Sequence, residues 1–486
     1  MIHEITRNTR NGSQNDVGKD SRLACIPFRV TSWLVCVCLF TGAFFLLLGS
    51  PVHAKRKPNI IFILADDLGY GDLGSYGQKF IRTPNLDRMA KEGMRFTNFY
   101  AGAPVCAPSR ASLMTGLHQG HAYVRGNTTL RPVPGQTGTA ATRLPLRPQD
   151  VTVAEVLKTA GYRTGLIGKW GLGEPDTSGI PNRKGFDYFF GYLNQNHAHN
   201  YYPEYLWRNQ ERVNLSKGTY AHDLLTSEAL DFVRREREQP FFLYLAYTLP
   251  HANNELGRAT GNGMEIPTDA PYSGETWRSQ EKNYAAMVTR LDADVGKIMA
   301  LLKELNLEDD TIVFFNSDNG PQGPDEGGFD PNYFSSHSVF RGIKRELYEG
   351  GIRVAMIVRC PGRIKAGQTS QQVWAGWDLL PTLATIAGAN APPGSDGISM
   401  APSLFGHRQR GHEYLYWEFH EGEFVQAVRL GNWKAVRRQN RALELYDLQT
   451  DVGEQHDVAP AHPPIVKRTE AIMKAEHIES EFWPVR

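Results

Sequence analysis

Four short runs of consecutive apolar residues mark the strands that the sequence predicts. They lie at residues 59–65, 241–247, 311–315 and 354–358. Apolar runs of this length without alternation are typical of strands that are buried on both faces of a sheet. Longer amphipathic patterns at residues 281–305 and 377–387 predict helices, and the second of these ends at Gly388.

The alternation of strand and helix patterns predicts the fold class. Strands that alternate with helices build α/β domains in which a mostly parallel sheet is covered by helices on both faces. We therefore expect an α/β fold with a large, mixed but mostly parallel sheet sandwiched by helices. In such sheets, functional residues gather at the carboxyl ends of the strands.

The pattern changes towards the C-terminus. Residues 388–397 are rich in Gly, Pro, Ala and Asn, which is typical of a boundary region. Beyond about residue 403, short alternating segments at 414–417 and 424–430 predict a small antiparallel sheet, followed by a closing helix near 465–477. We expect a catalytic domain over residues 55–400 and a C-terminal subdomain over 401–486.

The N-terminus carries the features of an export signal. Arg22 and Arg29 precede an apolar run at residues 32–49, and small residues at Val52 and Ala54 follow it. This order predicts a secretory signal peptide over residues 1–54 and export to the periplasm or the medium. The alternative is an uncleaved membrane anchor, because 18 apolar residues nearly span a bilayer.

Charge and cysteine content narrow the possible functions. The formal net charge of the 486 residues is +1, which leaves no electrostatic footprint for a nucleic acid partner. Three of the five cysteines lie in the predicted leader, so a mature chain keeps Cys106 and Cys360. One bridge at most is possible, and the chain is therefore no disulfide scaffold.

Oxygen-bearing side chains follow two of the predicted strands. Asp66 and Asp67 come directly after the first strand, and Asp318 and Asn319 follow the run at 311–315. Adjacent buried carboxylates repel each other unless a cation joins them. Oxygen-only ligands suit calcium or magnesium. The alternative is a pair of ordinary strand-end turns, in which Asp, Asn and Gly are common.

Residues 106–110 (Cys-Ala-Pro-Ser-Arg) carry the strongest pattern. Pro108 suits the first turn of a helix, and the helix would end at Gly116. Cys106 would then lie at a helix N-terminus, where backbone N–H groups favour an anion, with Arg110 one turn away. Taken alone, Cys106 is equally well interpreted as a buried structural thiol.

These motifs together resemble one enzyme family. Residues 106–116 look like the first signature of the formylglycine-dependent sulfatases, and residues 161–170 resemble the second. The carboxylates after the two strands match the calcium site of that family. The similarity is closest to the arylsulfatase A type, runs from about residue 57 to 459, and implies an alkaline phosphatase-like fold.

The resemblance implies a reaction, a modification and a metal ion. A maturase would oxidise Cys106 to formylglycine, whose hydrate attacks the sulfur of a sulfate monoester and displaces the alcohol. The second hydroxyl of the hydrate then loses its proton, and sulfate is expelled. The resemblance assigns one calcium ion, rather than magnesium, to a set of ligands made up of Asp66, Asp67, the modified Cys106, Asp318 and Asn319.

The resemblance implies roles for four further residues, because their positions match those of functional residues in the family. Arg110, Lys169 and Lys344 correspond to sulfate-binding groups, and His251 corresponds to the histidine that protonates the leaving oxygen. With three carboxylates and one calcium ion, the three basic groups give a formal charge of +2, which suits an anion. Without the family, His251 would be a structural histidine and the lysines would be surface charges.

One position departs from the family pattern. The family often has a histidine two residues after the lysine of its second signature, whereas this chain has Gly171. His197 and His199 are candidate substitutes, although a polar loop is the plainer interpretation. Nearby aromatic residues could stack on a sugar or aryl ring; they are Tyr201, Tyr202, Tyr205 and Trp207.

Two rival functions follow from the same residues. The first is a phosphomonoesterase or phosphodiesterase on the same scaffold, but those enzymes typically use Ser or Thr and histidine-rich metal sites. The second is an inactive binder of sulfated glycans, which Gly171 keeps open. We therefore predict an exported sulfuric ester hydrolase that acts on sulfated carbohydrates, lipids or aryl sulfates.

Overall fold

The computed structural model describes residues 56–485, apart from the side chains of residues 139 and 140. The predicted signal peptide at residues 1–54 and the alternative anchor at 32–49 lie outside this part. Among the described helices, none combines the length and the apolar character needed to cross a bilayer.

One large mixed sheet dominates the described residues. Its strands are β1 (Asn59–Ala65), β2 (Met94–Tyr100), β3 (Arg163–Lys169), β4 (Tyr188–Tyr192), β5 (Tyr205–Arg208), β6 (Glu211–Asn214), β7 (Phe241–Ala246), β8 (Thr311–Ser317), β9 (Arg353–Arg359), β10 (Gln368–Ser370) and β11 (Trp374–Ala375). Their order is β10-β2-β9-β8-β1-β7-β3-β4-β5-β6, and β11 pairs with β2. The central run β8-β1-β7-β3-β4 is parallel.

Helices cover both faces of this sheet. The α-helices of the described part of the chain are α1 (Pro84–Glu92), α2 (Cys106–Thr115), α3 (Val153–Thr159), α4 (Ala221–Glu236), α5 (Asn254–Thr260), α6 (Ser279–Glu304), α7 (Pro324–Gly327), α8 (Glu349–Ile352), α9 (Leu379–Ala387), α10 (Ala401–Leu404) and α11 (Pro463–Glu476). Alternate residues of β1 enter different cores. Ile61 and Ile63 pack in the core that includes α1, α4 and α6, whereas Ile60 and Phe62 pack with α2, α3 and α9.

A second, smaller sheet follows in the chain. It contains the antiparallel strands β12 (Leu415–Phe419), β13 (Val425–Leu430), β14 (Trp433–Arg438) and β15 (Glu444–Asp447), and α11 packs against it. The predicted fold class, a mostly parallel sheet between helices with a small antiparallel sheet near the C-terminus, is confirmed. The division between residues 400 and 401 stays a prediction.

Candidate active site

The candidate site lies where four neighbouring parallel strands end. Asp66 and Asp67 follow β1, and Asp318 follows its neighbour β8. On the other side of β1, His251 lies in the loop after β7, and Lys169 is the last residue of β3. Because parallel strands share one carboxyl edge, residues far apart in the sequence meet there.

Helix α2 brings Cys106 to this edge. The helix begins at Cys106, after the extended residue Val105, and ends at Gly116, whose φ of 72° is the left-handed conformation that favours glycine. The Cys106 Sγ atom lies 3.4 Å from Asp66 Oδ1. Burial and the negative charge of Asp66 raise the pKa of the Cys106 thiol well above its usual value.

Asp66 is held by two cations. Its Oδ2 atom lies 2.7 Å from Lys169 Nζ and 3.5 Å from an Arg110 nitrogen. Burial opposes its ionisation, but the charge of Lys169, followed by that of Arg110, outweighs burial and holds the pKa of Asp66 well below its usual range. Asp66 therefore remains a carboxylate at the centre of the site.

The negative charge of Asp67 is less fully compensated by neighbouring cations than that of Asp66. Its Oδ2 atom lies 2.7 Å from Lys344 Nζ, and its Oδ1 accepts a hydrogen bond of 2.6 Å from Asn319. Burial, which the charge of Lys344 only partly offsets, raises the pKa of Asp67 to about 7. Its φ of 62° is unusual for a residue with a side chain, and such conformations cluster at functional sites.

Asp318 joins helix α2 to the site. The Arg110 guanidinium donates to Asp318 Oδ2 at 3.0 and 2.9 Å, and its third nitrogen donates to the Lys169 carbonyl at 2.7 Å. Burial and the charge of Asp66 raise the pKa of Asp318 to about 6. Arg110 is 1% exposed, so its charge depends on these partners.

The structure adds a carboxylate that sequence reasoning missed. Glu326 Oε2 lies 2.7 Å from Lys344 Nζ, and Glu326 also contacts Arg345. Counting Glu326 lowers the formal charge of the site from +2 to +1. A glutamate in the short helix α7, in no recognisable motif, offers no sequence signal for this role.

The side chains at this edge fit a divalent cation. Asp66, Asp67, Cys106 and His251 each offer a ligand atom within 4.8 Å of the others, and sequence reasoning had left His251 outside the metal set. The Asn319 Oδ1 atom is buried and has no hydrogen-bond partner among the described residues. A buried oxygen beside partly neutralised carboxylates is the donor set that a hard cation satisfies.

His251 is buried within this cluster. Its Nδ1 atom lies 2.6 Å from the Ala252 carbonyl, and its Nε2 atom lies 3.2 Å from Lys344 Nζ and 3.4 Å from Asp67. Burial and the charge of Lys344 lower the pKa of His251 well below its usual value. The ring is therefore neutral before a substrate binds.

His197 and His199, the two candidates to replace the histidine that the family often has at the position of Gly171, have different surroundings. The His199 ring stacks on His251 at 4.8 Å between centroids, and its Nδ1 atom lies 3.0 Å from Glu255. The His197 ring is tilted by 36° against the Tyr205 ring instead, with their centroids 4.5 Å apart, and burial lowers the pKa of His197 to about 4. The structure thus brings His199 to the buried cluster around His251 and puts His197 in the wall of a neighbouring cavity.

Gln195 fills the space beside Gly171. A Cβ atom on Gly171 would lie 2.3 Å from Gln195 Nε2, and Gly171 has a φ of 76°. Gln195 is 4% exposed, and neither end of its amide has a partner among the described residues. Sequence reasoning named the two histidines and missed this residue, because nothing in the chain pattern ties Gln195 to Gly171.

A cavity of about 760 Å³ lies beside the cluster. Its lining includes Asn194, Asn196, His197, Tyr205, Trp207 and Arg212. Glu255, the partner of His199, also lines it, which connects the cavity to the stacked rings of His199 and His251. Tyr205 and Trp207, expected to stack on a ring, belong to this cavity, whereas Tyr201 is buried with its hydroxyl bonded to the carbonyls of Thr248 and His251.

Two family models match the chain. The model described as Sulfatase matches residues 58–389, which is more than half of the sequence. The model described as N-sulphoglucosamine sulphohydrolase, C-terminal, matches residues 336–477 and includes the small sheet.

Known proteins are similar over most of their length. N-acetylgalactosamine-6-sulfatase of Canis lupus familiaris is 35% identical over 411 residues, which cover 79% of this chain and 72% of that protein. Arylsulfatase G of Mus musculus is 34% identical over 475 residues, covering 87% and 84%. The crystal structure of Ps i-CgsB in complex with k-i-k-neocarrahexaose superposes with a TM-score of 0.75 at 29% identity, covering 89% of this chain and 95% of that one.

Proposed function

This chain belongs to the sulfatase family and hydrolyses sulfate esters, and we propose that it does so with formylglycine formed from Cys106, with calcium as its metal ion and with sulfated carbohydrates as substrates. The observation that carries this proposal is the convergence on Cys106. Asp66 lies 3.4 Å from its sulfur, and Asp66 in turn holds Lys169 at 2.7 Å.

The requirement for modification is consistent with the surroundings of Cys106. A cysteine is nucleophilic as a thiolate, and thiolates are favoured by positive surroundings with some solvent access. Cys106 is 2% exposed and contacts a carboxylate. The formylglycine hydrate would supply the attacking oxygen at this position. Asn127 helps to fix the start of α2, because its Oδ1 accepts a 2.8 Å hydrogen bond from Ala107 N.

We propose that Asp66, Asp67, Asp318 and Asn319 hold the cation, with the modified residue 106 beside them. The bound ion would supply positive charge that stabilises the sulfate oxygens in the transition state. Calcium is preferred to magnesium because the carboxylates are almost fully buried, whereas magnesium usually keeps several of its waters.

The basic residues act on the substrate anion. Lys169, Lys344 and Arg110 are each aligned by a buried carboxylate partner, so they need little reorganisation when the substrate binds. Fixed positive groups in a site that excludes water stabilise negative charge more strongly than they would in solution. We assign these three residues to sulfate binding and His251 to proton transfer at the leaving oxygen.

The cavity next to the cluster supports a carbohydrate substrate. Aromatic faces such as Tyr205 and Trp207, together with polar groups such as Asn194 and Asn196, are the surfaces that bind sugar rings and their hydroxyls. Two of the similar proteins, N-acetylgalactosamine-6-sulfatase and the neocarrahexaose complex, carry saccharides in their names.

We propose that the chain is exported and that a formylglycine-generating maturase is its partner.

Expression with and without a maturase tests this proposal. Peptide mass spectrometry should detect formylglycine at position 106 only in the co-expressed protein, and sulfate release from sulfated saccharides should rise with the modified fraction. Cys106→Ala, purified in parallel, should release no sulfate above background. Full activity in Cys106→Ala would refute the assignment of the nucleophile.

A further inference from the structure

Arg143 is a largely buried arginine without a carboxylate partner among the described residues. Its guanidinium donates to the Asn127 carbonyl and, at 2.5 Å, to Asn196 Oδ1, and its Nε atom is buried without a partner. In contrast, the buried arginines Arg125 and Arg359 each contact a carboxylate. Burying a cation without a counter-ion is costly, which suggests that a ligand supplies the missing negative charge.

Arg143 lies between the nucleophile and the cavity. Asn127, which it contacts, also accepts a hydrogen bond from Ala107 at the start of α2. Its other partner, Asn196, lines the cavity. Because a guanidinium only donates hydrogen bonds, the amide oxygen of Asn196 must face Arg143. The Asn196 Nδ2 group therefore remains available to donate to a ligand.

Arg212 supplies a second unpaired cation at the same cavity. Its guanidinium carbon lies 4.4 Å from the centre of the Tyr205 ring and 5.2 Å from that of Trp207. Among the described residues no carboxylate lies within 4 Å of it. Stacking on aromatic faces holds a guanidinium in place while its in-plane N–H groups stay free to bind an anion.

The acidic residues of the cavity contact other groups. Glu255 lies 3.0 Å from His199 and 3.8 Å from Arg258. Glu174 accepts a hydrogen bond of 2.6 Å from Asn194. Among the described residues neither carboxylate lies within 4 Å of Arg143 or Arg212, so both guanidinium groups can bind an anionic ligand.

We propose that this cavity binds a second anionic group of the substrate, a neighbouring sulfate or a carboxylate, through Arg212 and Asn196, with Arg143 orienting Asn196 and contributing positive charge. The proposal rests on the proposed carbohydrate function and specifies its substrate class. Saccharides with a second anionic group near the sulfate ester are preferred to saccharides with a single sulfate.

Equilibrium binding tests this inference without turnover. In the Cys106→Ala background, isothermal titration calorimetry compares a monosulfated disaccharide with two analogues that carry a second sulfate or a uronic carboxylate. We expect both analogues to bind at least about 10-fold more tightly, because hydrogen bonds to charged groups are worth more than neutral ones. The analogue with the larger gain identifies which anion the cavity accepts.

Substitutions then locate the effect. Arg212→Ala and Arg143→Gln should each remove most of this preference, and Arg212 is exposed, so its loss should not affect folding. Arg208→Ala is the matched control, because Arg208 lies on β5 but contacts Glu228 instead. Equal affinity for the three saccharides, or an unchanged preference in Arg212→Ala, would overturn the inference. Failure of the carbohydrate function is distinguishable, because then none of the three saccharides would bind.

Discussion

Lys344 Nζ lies 3.2 Å from His251 Nε2, on the side of the ring that faces the catalytic cluster. The opposite nitrogen of His251 lies 2.6 Å from the Ala252 carbonyl, and a carbonyl can only accept, so Nδ1 carries the hydrogen of the neutral ring. The Nε2 lone pair therefore accepts a hydrogen bond from Lys344. His251 must gain a proton at Nε2 before it can serve as a general acid.

The role of His251 can be tested through the leaving group. A sugar alkoxide has a high pKa and needs a proton in the transition state, whereas a nitrophenolate leaves readily without one. His251→Ala should therefore lose about 10²–10⁴-fold in kcat on a sulfated sugar and far less on nitrophenyl sulfate. Steady-state kinetics on the two substrates measures the contrast.

The stacked neighbour provides the comparison. His199→Ala, assayed in the same way, asks whether the His199–Glu255 pair delivers the proton instead. His197→Ala shows the effect of losing a contact in the cavity wall alone, because His197 packs against Tyr205 there. Equal losses on both substrates in His251→Ala would mean that His251 binds sulfate or supports structure.

Gln195 and Gly171 form a second testable pair. Introducing a side chain by Gly171→His would drive it into Gln195 and would place a non-glycine residue at a φ of 76°. Overpacking of this kind costs roughly 1–3 kcal/mol of unfolding free energy. The double variant Gly171→His with Gln195→Ala should recover part of that loss in chemical denaturation.

The recovery should be incomplete, because the positive φ remains. Gln195→Ala alone shows whether the buried amide also contributes to turnover. If Gly171→His is as stable as the wild type, Gln195 does not limit the space at position 171.

Metal binding can be tested at Asn319, whose removal leaves the carboxylates in place. Asn319→Leu keeps the approximate volume but loses the amide oxygen. Removing a residue that only hydrogen-bonds to a metal ligand typically weakens metal affinity by about 10–100-fold. The loss of a ligand itself should weaken calcium binding at least as much. Elemental analysis and calcium titration of the chelator-treated protein measure the effect.

Asn316→Leu is the matched control for this substitution. Asn316 is a buried amide inside β8 without a hydrogen-bond partner among the described residues. The Asn316→Leu protein should keep its calcium. Magnesium should substitute poorly for calcium in both the Asn316→Leu and the Asn319→Leu proteins. Full activity in a chelated enzyme that contains no metal would contradict the cofactor assignment.

Four strands of the large sheet, β1, β7, β8 and β9, and the acidic residues that follow β1 and β8 were predictable from sequence. The apolar run at residues 59–65 coincides with β1, and the predicted helix at 281–305 corresponds to α6 at Ser279–Glu304. The family and sulfate ester hydrolysis, expected from the motifs, are confirmed by the similar proteins. Parallel strands bring their carboxyl ends to one edge of the sheet. The alternation of strands and helices along the chain was therefore enough to predict that the residues after β1 and β8 lie together.

Other features were not predictable, for physical reasons. Strands β4 to β6 form an extension of the sheet from short segments with mixed patterns, and none of them was expected. Gln195 and Arg143 lie in loops and Glu326 lies in the short helix α7, and the positions of these segments depend on tertiary packing. Isolated polar residues in loops have no periodicity, so their partners could be found only in the structure.

The segment after α2 is tied to the C-terminal helix by a cluster of ionisable groups. His118 Nε2 lies 2.9 Å from Glu476 Oε2, and His121 Nδ1 lies 2.8 Å from Asp396. Tyr414 also donates to Glu476 at 2.5 Å. The hydrogen bond with His118 is the main cause that lowers the pKa of Glu476 to about 2, and the bond with Asp396 raises the pKa of His121.

These two shifts stabilise the fold on opposite sides of a pH window. The lowered pKa of Glu476 stabilises the folded state fully at pH values above about 4.3, the pKa of a glutamate in an unfolded chain. This stabilisation is lost as the pH falls towards 2. A raised histidine pKa stabilises below the unfolded value of about 6.5, and this is lost as pH rises through the folded pKa. The cluster should therefore stabilise the protein most between about pH 4.5 and 6.5.

Melting temperatures across pH test this window. Relative to the wild type, Glu476→Gln should lower Tm most near pH 5.5 and less below pH ~4, where the wild type begins to lose the same interaction. His121→Gln should lower Tm near pH 5.5, and less as the pH rises above the folded pKa of His121, because this histidine is then neutral in both the folded and the unfolded wild type. Glu470→Gln, an exposed residue of the same helix, should show neither dependence. A Tm difference for Glu476→Gln and His121→Gln that stays constant with pH would show that these groups stabilise the fold without their charges.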